Sequence, residues 1–298
     1  MTTPLVAGIE LGGTKCIAIL ARGREVLARL PVVTRGPEET VGELVATVHA
    51  WQAEGAEIAA LGLASFGPLG LDPRRDDFGF ITRTPKLEWA HTDLRGVFAA
   101  ALGLPIGFDT DVNGAALAEG HWGAARGARV HVYLTVGTGI GGGVIVDGRP
   151  LHGLMHPEMG HVRVRRDPAD PFGGACPFHG DCLEGLASGP AITARTGTDA
   201  ALLDDSHPVW DKVAAELGEL VATLALVLSP ERIVIGGGVG RRAALLPAIR
   251  AAAAIRLASY LPVDAAALEK LVVPPGLGGD SGPLGAIILA LRAIGEEP

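Results

Sequence analysis

Three short glycine-rich segments, each directly after an apolar run, constrain the fold of this chain more than any other feature. They occupy residues 12–15, 137–143 and 236–240. Glycine lets backbone N–H groups approach a phosphate closely, and it adopts positive φ angles that other residues avoid. One such segment is explained equally well as a tight turn. Several of them at strand ends favour a phosphate-binding cleft.

The first two segments each join a pair of apolar runs, which predicts two β-hairpins. Residues 5–11 and 16–20 flank the first turn, and residues 130–136 and 144–146 flank the second. Because this pattern occurs twice, we interpret the chain as two related halves whose hairpin turns face a shared cleft.

The remaining periodicity places the chain in the α/β class. Helices are predicted over 38–54, 94–102, 112–123, 211–228, 242–260 and 283–294. Strands are predicted over 58–65, 106–109 and 232–235, so strands and helices alternate. A chain of 298 residues fits two domains better than one. We expect domains at 1–118 and 119–298, with the last helix packing back on the first domain.

Two familiar nucleotide-binding signatures do not fit the glycine segments. A Walker A loop requires G-x-x-x-x-G-K-[ST], a spacing that these segments lack. The dinucleotide fingerprint opens a helix, whereas the first two segments lead into predicted strands. The glycine segments therefore indicate a phosphate site of a different kind.

Composition argues against several classes of partner. The formal net charge is −8 and aromatic residues make up 4%, which disfavours nucleic acids and anionic membrane surfaces. No apolar run approaches the length of a bilayer span, and residues 5–9 enter a strand without a secretory leader. The 3 cysteines cannot build a disulfide scaffold, so a cytoplasmic location is expected.

An acidic cluster stands where a predicted strand gives way to a helix. Asp109, Thr110, Asp111 and Asn113 lie at this junction, and α/β folds place ligands at such switch points. Phosphoryl transfer to a hydroxyl uses a base that accepts the hydroxyl proton, and Asp111 is our candidate. The residues alone favour a simpler role, because aspartate is a preferred helix N-cap.

Residues 151–189 are rich in Pro, Gly and His and lack periodicity. We therefore expect a cross-link to hold this long segment in place. Cys176, His179 and Cys182 have the spacing C-x-x-H-x-x-C, which suits one tetrahedral zinc ion. His161 is the leading candidate for the fourth ligand. The competitors for that place are His152 and His156.

A site with two thiolates and two imidazoles would be closed and structural. It would hold Glu158 and Glu184 rigidly, and their carboxylates suit the hydroxyls of a sugar. The alternative is a pair of free thiols beside a surface histidine, with both glutamates ordinary and exposed.

Together and in this order, these segments resemble the ROK family of bacterial sugar kinases, within the actin-like ATPase superfamily. The resemblance runs from residue 5 to the last predicted helix. Besides the glycine segments, Asp111 and Asn113, it rests on residues 156–161 and the zinc segment with Glu184. It implies a duplicated ribonuclease-H-like fold, with two domains around an interdomain cleft that binds ATP and Mg²⁺. A homodimer is the usual form of the family.

The resemblance also implies residue roles, and it makes Asp111 the general base rather than a helix cap. The residues expected to contact the sugar are Glu158, His161, Glu184, Asp111, Thr110 and Lys86. The expected structural zinc ligands are His161, Cys176, His179 and Cys182. The residues expected to contact ATP are Gly12, Gly13, Thr14, Lys15, Gly137, Thr138, Gly139, Pro190, Gly236, Gly237, Gly238, Val239 and Gly240.

Departures from the family pattern narrow the expected substrate. Most relatives have aspartate in place of Glu10, asparagine in place of Thr110 and Lys86, and C-x-C-G-x-x-G-C in place of the zinc segment. With these departures the chain looks like the ROK-type fructokinases. The expected reaction converts ATP and D-fructose to ADP and D-fructose 6-phosphate.

Three other functions stay open from the residues. One is a kinase for mannose, glucose or an N-acetylhexosamine, and another is an actin- or chaperone-like ATPase with a protein partner. The last is a non-catalytic sugar sensor. Such sensors carry a helix-turn-helix before the first strand, and we expect no room for one because the strand starts at residue 5.

Overall fold

A computed structural model, which describes residues 3–297, places the first part of the chain in a five-stranded sheet. Its strands are β1 (Leu5–Leu11), β2 (Lys15–Arg22), β3 (Glu25–Val33), β4 (Leu61–Ser65) and β7 (Ile106–Thr110), in the order β3-β2-β1-β4-β7. β1, β2 and β3 are antiparallel neighbours, and β4 and β7 continue the sheet parallel to β1. A separate ribbon pairs β5 (Phe80–Ile81) with β6 (Thr92–Asp93).

A second five-stranded sheet repeats this arrangement. Its strands are β8 (Val130–Val136), β9 (Ile140–Val146), β10 (Arg149–Pro150), β11 (Arg232–Gly236) and β12 (Val272–Val273), in the order β10-β9-β8-β11-β12. The antiparallel and parallel pairings follow the same sequence as in the first sheet. The duplicated fold predicted from the two glycine hairpins is therefore confirmed.

Helices cover both faces of each sheet, which is why the central strands are apolar throughout. The outer face of the first sheet packs on α1 (Pro37–Ala53) and α2 (Leu94–Leu102). Between the sheets lie α3 (Asp111–Trp122) and α10 (Ser281–Ala293). The outer layer of the second sheet consists of α4 (Leu183–Ala187), α5 (Gly189–Thr196), α6 (Val209–Leu228), α7 (Gly237–Gly240), α8 (Leu245–Leu257) and α9 (Ala265–Leu271).

The two helices between the sheets touch along their backbones. A Cβ atom on Gly285 of α10 would overlap the backbone of Gly114 of α3. At the other end of α3, the buried Glu119 carboxylate accepts hydrogen bonds of 2.9 and 3.1 Å from the amides of Gly276 and Leu277. It also accepts a 2.6 Å bond from the Ser281 hydroxyl. α3 is thereby fastened to the start of α10.

The structure differs from the sequence-based expectations in several elements. β3 was not predicted, because it is an edge strand and Val32 is its one fully buried residue. The segment at 236–240 is not an open loop, since Gly237 has a φ of 84° and the chain enters α7 there. α9 and β12 were also missed, and α8 begins at Leu245 rather than 242. Among residues 3–297, no helix has the length and apolarity to cross a membrane.

Candidate active site

The second and third glycine segments meet at the start of α5. The Gly189 amide donates a 2.7 Å hydrogen bond to the Gly137 carbonyl, and a Cβ on Gly137 would lie 3.6 Å from the Gly238 nitrogen. Pro190 stands in the first turn of α5, next to this contact. Val239 points its side chain into the apolar core of the second sheet. The structure thus brings together residues that the sequence assigned to the nucleotide from distant parts of the chain.

The first glycine segment is the turn of the β1–β2 hairpin. The Gly12 amide donates a 3.1 Å hydrogen bond to the Lys15 carbonyl, and Thr14 and Lys15 are exposed. Lys86, which the sequence assigned to the sugar, lies against this turn. A Cβ built on Gly13 would be 3.3 Å from the Lys86 Cε.

Asp111 is the first residue of α3 and follows β7 directly. Thr110 is the helix N-cap, and its hydroxyl accepts a 3.1 Å hydrogen bond from the Asn113 amide. Asp111 Oδ1 accepts a 2.9 Å bond from the adjacent Val112 amide. The capping role that the residues alone favoured for an aspartate therefore belongs to Thr110. Burial raises the pKa of Asp111 to about 6, in the range of a general base at neutral pH.

Two more carboxylates near Asp111 have raised pKa values. Burial raises the pKa of Glu158 to about 7, and the negative charges of Glu184 and Asp111 add to the shift. Burial and the charge of Asp111 raise the pKa of Glu10, in β1, to about 7. The charge of Asp111 acts on both Glu158 and Glu10, so these three carboxylates form one acidic cluster.

His152 and His156, the competing metal ligands, bond to other groups. His152 Nε2 lies 3.1 Å from Asp109 Oδ2, and the hydrogen bond to this carboxylate raises the pKa of His152. His156 Nε2 accepts a 3.0 Å hydrogen bond from the Leu69 amide, while its Nδ1 faces Glu158 Oε1 at 3.5 Å. His152 thus ties the segment before Glu158 to β7, and His156 ties it to the loop that follows β4.

The four residues predicted to bind zinc lie together, with one ligand atom from each of His161, Cys176, His179 and Cys182 within 4.8 Å of the others. His161 Nδ1 is 3.8 Å from Cys176 Sγ and 3.5 Å from Cys182 Sγ. His179 Nδ1 is 3.7 Å from Cys176 Sγ. Two sulfur and two nitrogen donors gathered this closely suit zinc.

Glu184 connects this cluster to the second glycine hairpin. Its Oε2 accepts a 2.9 Å hydrogen bond from the Ile140 amide at the start of β9. Its Oε1 lies 4.0 Å from Nε2 of His161, the ring nitrogen that faces away from the thiols. A metal-ligating histidine commonly turns its second nitrogen toward a carboxylate, so the donor set fits zinc on this second criterion too.

Ion pairs around the buried Asp170 carboxylate anchor the loop that carries the two cysteines. Asp170 lies 3.2 Å from Arg195 and 3.2 Å from Lys212, and Arg195 lies 2.8 Å from Glu216. Arg195 belongs to α5, whose first residue contacts Gly137. Helix α5 therefore contacts both the loop and the second glycine hairpin.

Sequence reasoning missed the positions of Glu10 and Lys86. Glu10 entered only as a departure from the family pattern, although a carboxylate near the end of an apolar strand is a signal in itself, because burying a charge is costly. Lys86 lies far from Gly13 along the chain, and no local pattern predicts such a contact. Thr110, assigned to the sugar, has its hydroxyl engaged in the helix cap.

Relatives similar to this chain over nearly its whole length include fructokinases. The chain is 47% identical over 293 residues to a fructokinase of Zymomonas mobilis, covering 96% of each chain. It is 40% identical over 298 residues to a putative fructokinase of Bacillus subtilis, covering 98% of this chain and 97% of the relative.

A solved structure supports the fold as well. The ROK hexokinase of Thermus thermophilus superposes with a TM-score of 0.74 at 33% identity, covering 97% of this chain and 99% of that one. The family model described as the ROK family matches residues 6–293. The match spans both sheets, the glycine segments, Asp111 and the Cys/His cluster. The chain belongs to the ROK family.

Proposed function

We propose that this protein is an ATP-dependent fructokinase, which transfers the γ-phosphoryl group of ATP to the 6-hydroxyl of D-fructose. The observation that carries the proposal is the Asp111 carboxylate. It stands at the strand-to-helix junction, leaves capping to Thr110, and has a pKa of about 6 beside other carboxylates. The chain is also similar to a fructokinase, at 47% identity, and to a putative fructokinase, at 40% identity.

In this proposal Asp111 accepts the proton of the attacking hydroxyl as the phosphoryl group is transferred. Glu158 and Glu184 accept hydrogen bonds from other sugar hydroxyls, as carboxylates do. His161 turns its Nε2 toward the same side as Glu184. The sugar is thereby held with one hydroxyl at the base, and this orientation supplies a large part of the rate.

The glycine segments are proposed to bind the phosphates of ATP through backbone N–H groups. The contacts among Gly137, Gly189 and Gly238 support this assignment, because they gather small residues at the N-terminus of α5. Mg²⁺ accompanies the phosphates and neutralises part of their charge.

Zinc is proposed to be structural in this protein. Its ligands would be His161, Cys176, His179 and Cys182, a closed set of donors with no open position for chemistry. The cluster fixes His161, and through the neighbouring Glu184 it also supports the sugar side of the site. A homodimer and a cytoplasmic location complete the proposal as predictions from the family.

A coupled ADP-release assay across fructose, mannose, glucose and N-acetylmannosamine tests the proposal. We expect fructose to give the highest kcat/KM. Phosphorylation of another hexose without activity on fructose would refute fructose as the substrate but would leave the assignment as a sugar kinase intact. ADP release that is independent of any sugar would refute both.

A further inference from the structure

Lys86 is held in place by a rigid turn. Its carbonyl accepts a 2.8 Å hydrogen bond from the amide of Trp89, a fully buried residue whose indole donates a 2.9 Å bond to the Arg35 carbonyl. Thr84, two residues earlier, is also buried. The backbone of Lys86 is therefore fixed from both sides, and its side chain starts from a defined position.

The side chain extends from this turn across the first glycine segment. The 3.3 Å separation between its Cε and a Cβ built on Gly13 shows that the side chain lies directly against this turn. Lys86 is half-buried, and its positive charge opposes the rise that burial causes in the pKa of the Cys16 thiol in β2. Among residues 3–297, no carboxylate lies within ion-pair distance of its ammonium group. By contrast, the buried Arg195 side chain lies 2.8 Å from a carboxylate partner, Glu216.

An unpaired, half-buried ammonium beside a glycine turn is suited to an anionic ligand. A hexose is uncharged, and the groups gathered for it are carboxylates, which a cation would neutralise. The phosphoryl group of ATP carries negative charge and passes this turn if the glycine segments bind the nucleotide. Lys15 is on the same turn but exposed at its tip, so Lys86 is the better-oriented cation.

We infer that Lys86 is a catalytic residue that contacts the γ-phosphoryl group of ATP and stabilises its charge during transfer. This inference rests on the proposed kinase function and replaces the earlier assignment of Lys86 to the sugar. A cation held in place beside the phosphoryl group chiefly stabilises the negative charge of the transition state. The bond from the γ-phosphorus to the β,γ-bridging oxygen breaks, the bond to the sugar oxygen forms, and Asp111 takes the proton.

The test compares Lys86→Met and Lys86→Arg with a matched control, Arg83→Met, which removes an exposed cation from the same loop. We expect Lys86→Met to lower kcat by about 100-fold, with the KM for fructose within twofold of the parent. Lys86→Arg should have a kcat at least tenfold higher than that of Lys86→Met, because arginine retains the positive charge. Arg83→Met should match the parent, and all variants should share its unfolding temperature.

A binding arm isolates the phosphoryl contact. Calorimetry measures the affinity of the parent protein and of Lys86→Met for ADP and for a non-hydrolysable ATP analogue. We expect Lys86→Met to bind the analogue about tenfold more weakly than the parent does, and to bind ADP with unchanged affinity. This arm needs no fructose, so it stands if another hexose proves to be the substrate. Equal losses for both nucleotides, a raised KM for fructose with unchanged kcat, or no change at all would each overturn the inference.

Discussion

The Asp111 carboxylate differs from the nearby Asp109 in the bonds it already makes. Asp109 is buried and accepts 2.7 Å hydrogen bonds from the Thr110 amide and from Asn113 Nδ2, in addition to the His152 contact. Asp111 accepts a 2.9 Å bond from the adjacent Val112 amide. A carboxylate with its lone pairs occupied is a structural acceptor, whereas one with a free oxygen can accept a proton. This contrast supports Asp111, the candidate chosen from the sequence, over Asp109.

Replacing Asp111 by Asn tests the assignment of the base. The amide keeps the size of the side chain but accepts a proton poorly, so kcat should fall by on the order of 10²-fold or more. Steady-state kinetics with fructose and MgATP measure the change. Asp211→Asn, in the exposed first turn of α6, is the matched control and should retain full activity. Near-parental turnover of Asp111→Asn would reject Asp111 as the base.

The raised carboxyl pKa values also predict a pH profile. Asp111 works in its deprotonated form, so kcat should decrease as the pH falls through about 6. Protonation of Glu158 near pH 7 should weaken sugar binding first, which raises the KM for fructose. Kinetics between pH 5 and 9 measure both effects, and a flat profile from pH 5 to 7 would contradict them.

Stability should change in the opposite direction over this range. The pKa of Asp111 is raised from 3.8 to about 6 in the folded protein, so the folded state binds a proton at this carboxyl more tightly than the unfolded chain does. The stability that this proton contributes is therefore lost as the pH rises from about 4 to about 6. Thermal unfolding at each pH should therefore show that the acid loss of activity is not caused by unfolding through this group.

The elements of the fold differ in how much of them the sequence predicts. The two glycine hairpins and the β7–α3 junction were predictable, because apolar runs and turn residues mark them locally. β3 was not, since an exposed edge strand lacks alternating burial, and β12 is only 2 residues long. In the site, the spacing of Cys176, His179 and Cys182 predicts the cluster. The contact of Lys86 with Gly13 depends on how distant loops meet, which no local pattern records.

Removing one sulfur ligand tests the metal cluster as an element. Cys182→Ser should lose stoichiometric zinc, and the free energy of unfolding should fall by on the order of 2 kcal/mol or more. Metal analysis and urea unfolding measure the two effects. Cys16→Ser removes a thiol in β2, outside the cluster, and should keep the metal. If Cys182→Ser retains one zinc per chain, the proposed ligand set is wrong.

At the scale of the whole molecule, α3 and α10 join the two sheets. α10 packs on β1, β4 and β7, while α3 packs on β8 and β9. The backbone contact between Gly114 and Gly285 sets the distance between the helices. Asp111 begins α3, and the start of α10 approaches Glu10, so this crossing also positions the acidic cluster.

Adding one methyl group at the crossing tests this arrangement. Gly285→Ala forces the two helix backbones apart and should lower the free energy of unfolding by about 1–3 kcal/mol, with a loss of kcat because Asp111 shifts. Gly42→Ala is the control in α1, where the new Cβ would meet nothing within 4 Å, and should stabilise by about 0.5–1 kcal/mol. Urea unfolding and steady-state kinetics on both variants decide the matter. An unaffected Gly285→Ala would show that the helices separate freely.

The identity of the product decides whether this protein is a fructokinase. The purified protein is incubated with MgATP and D-fructose, and phosphorus and carbon NMR spectra of the mixture are recorded. We expect D-fructose 6-phosphate in amounts equal to ADP. ADP with inorganic phosphate and no sugar phosphate, or a phosphate on a different hydroxyl, would contradict this expectation.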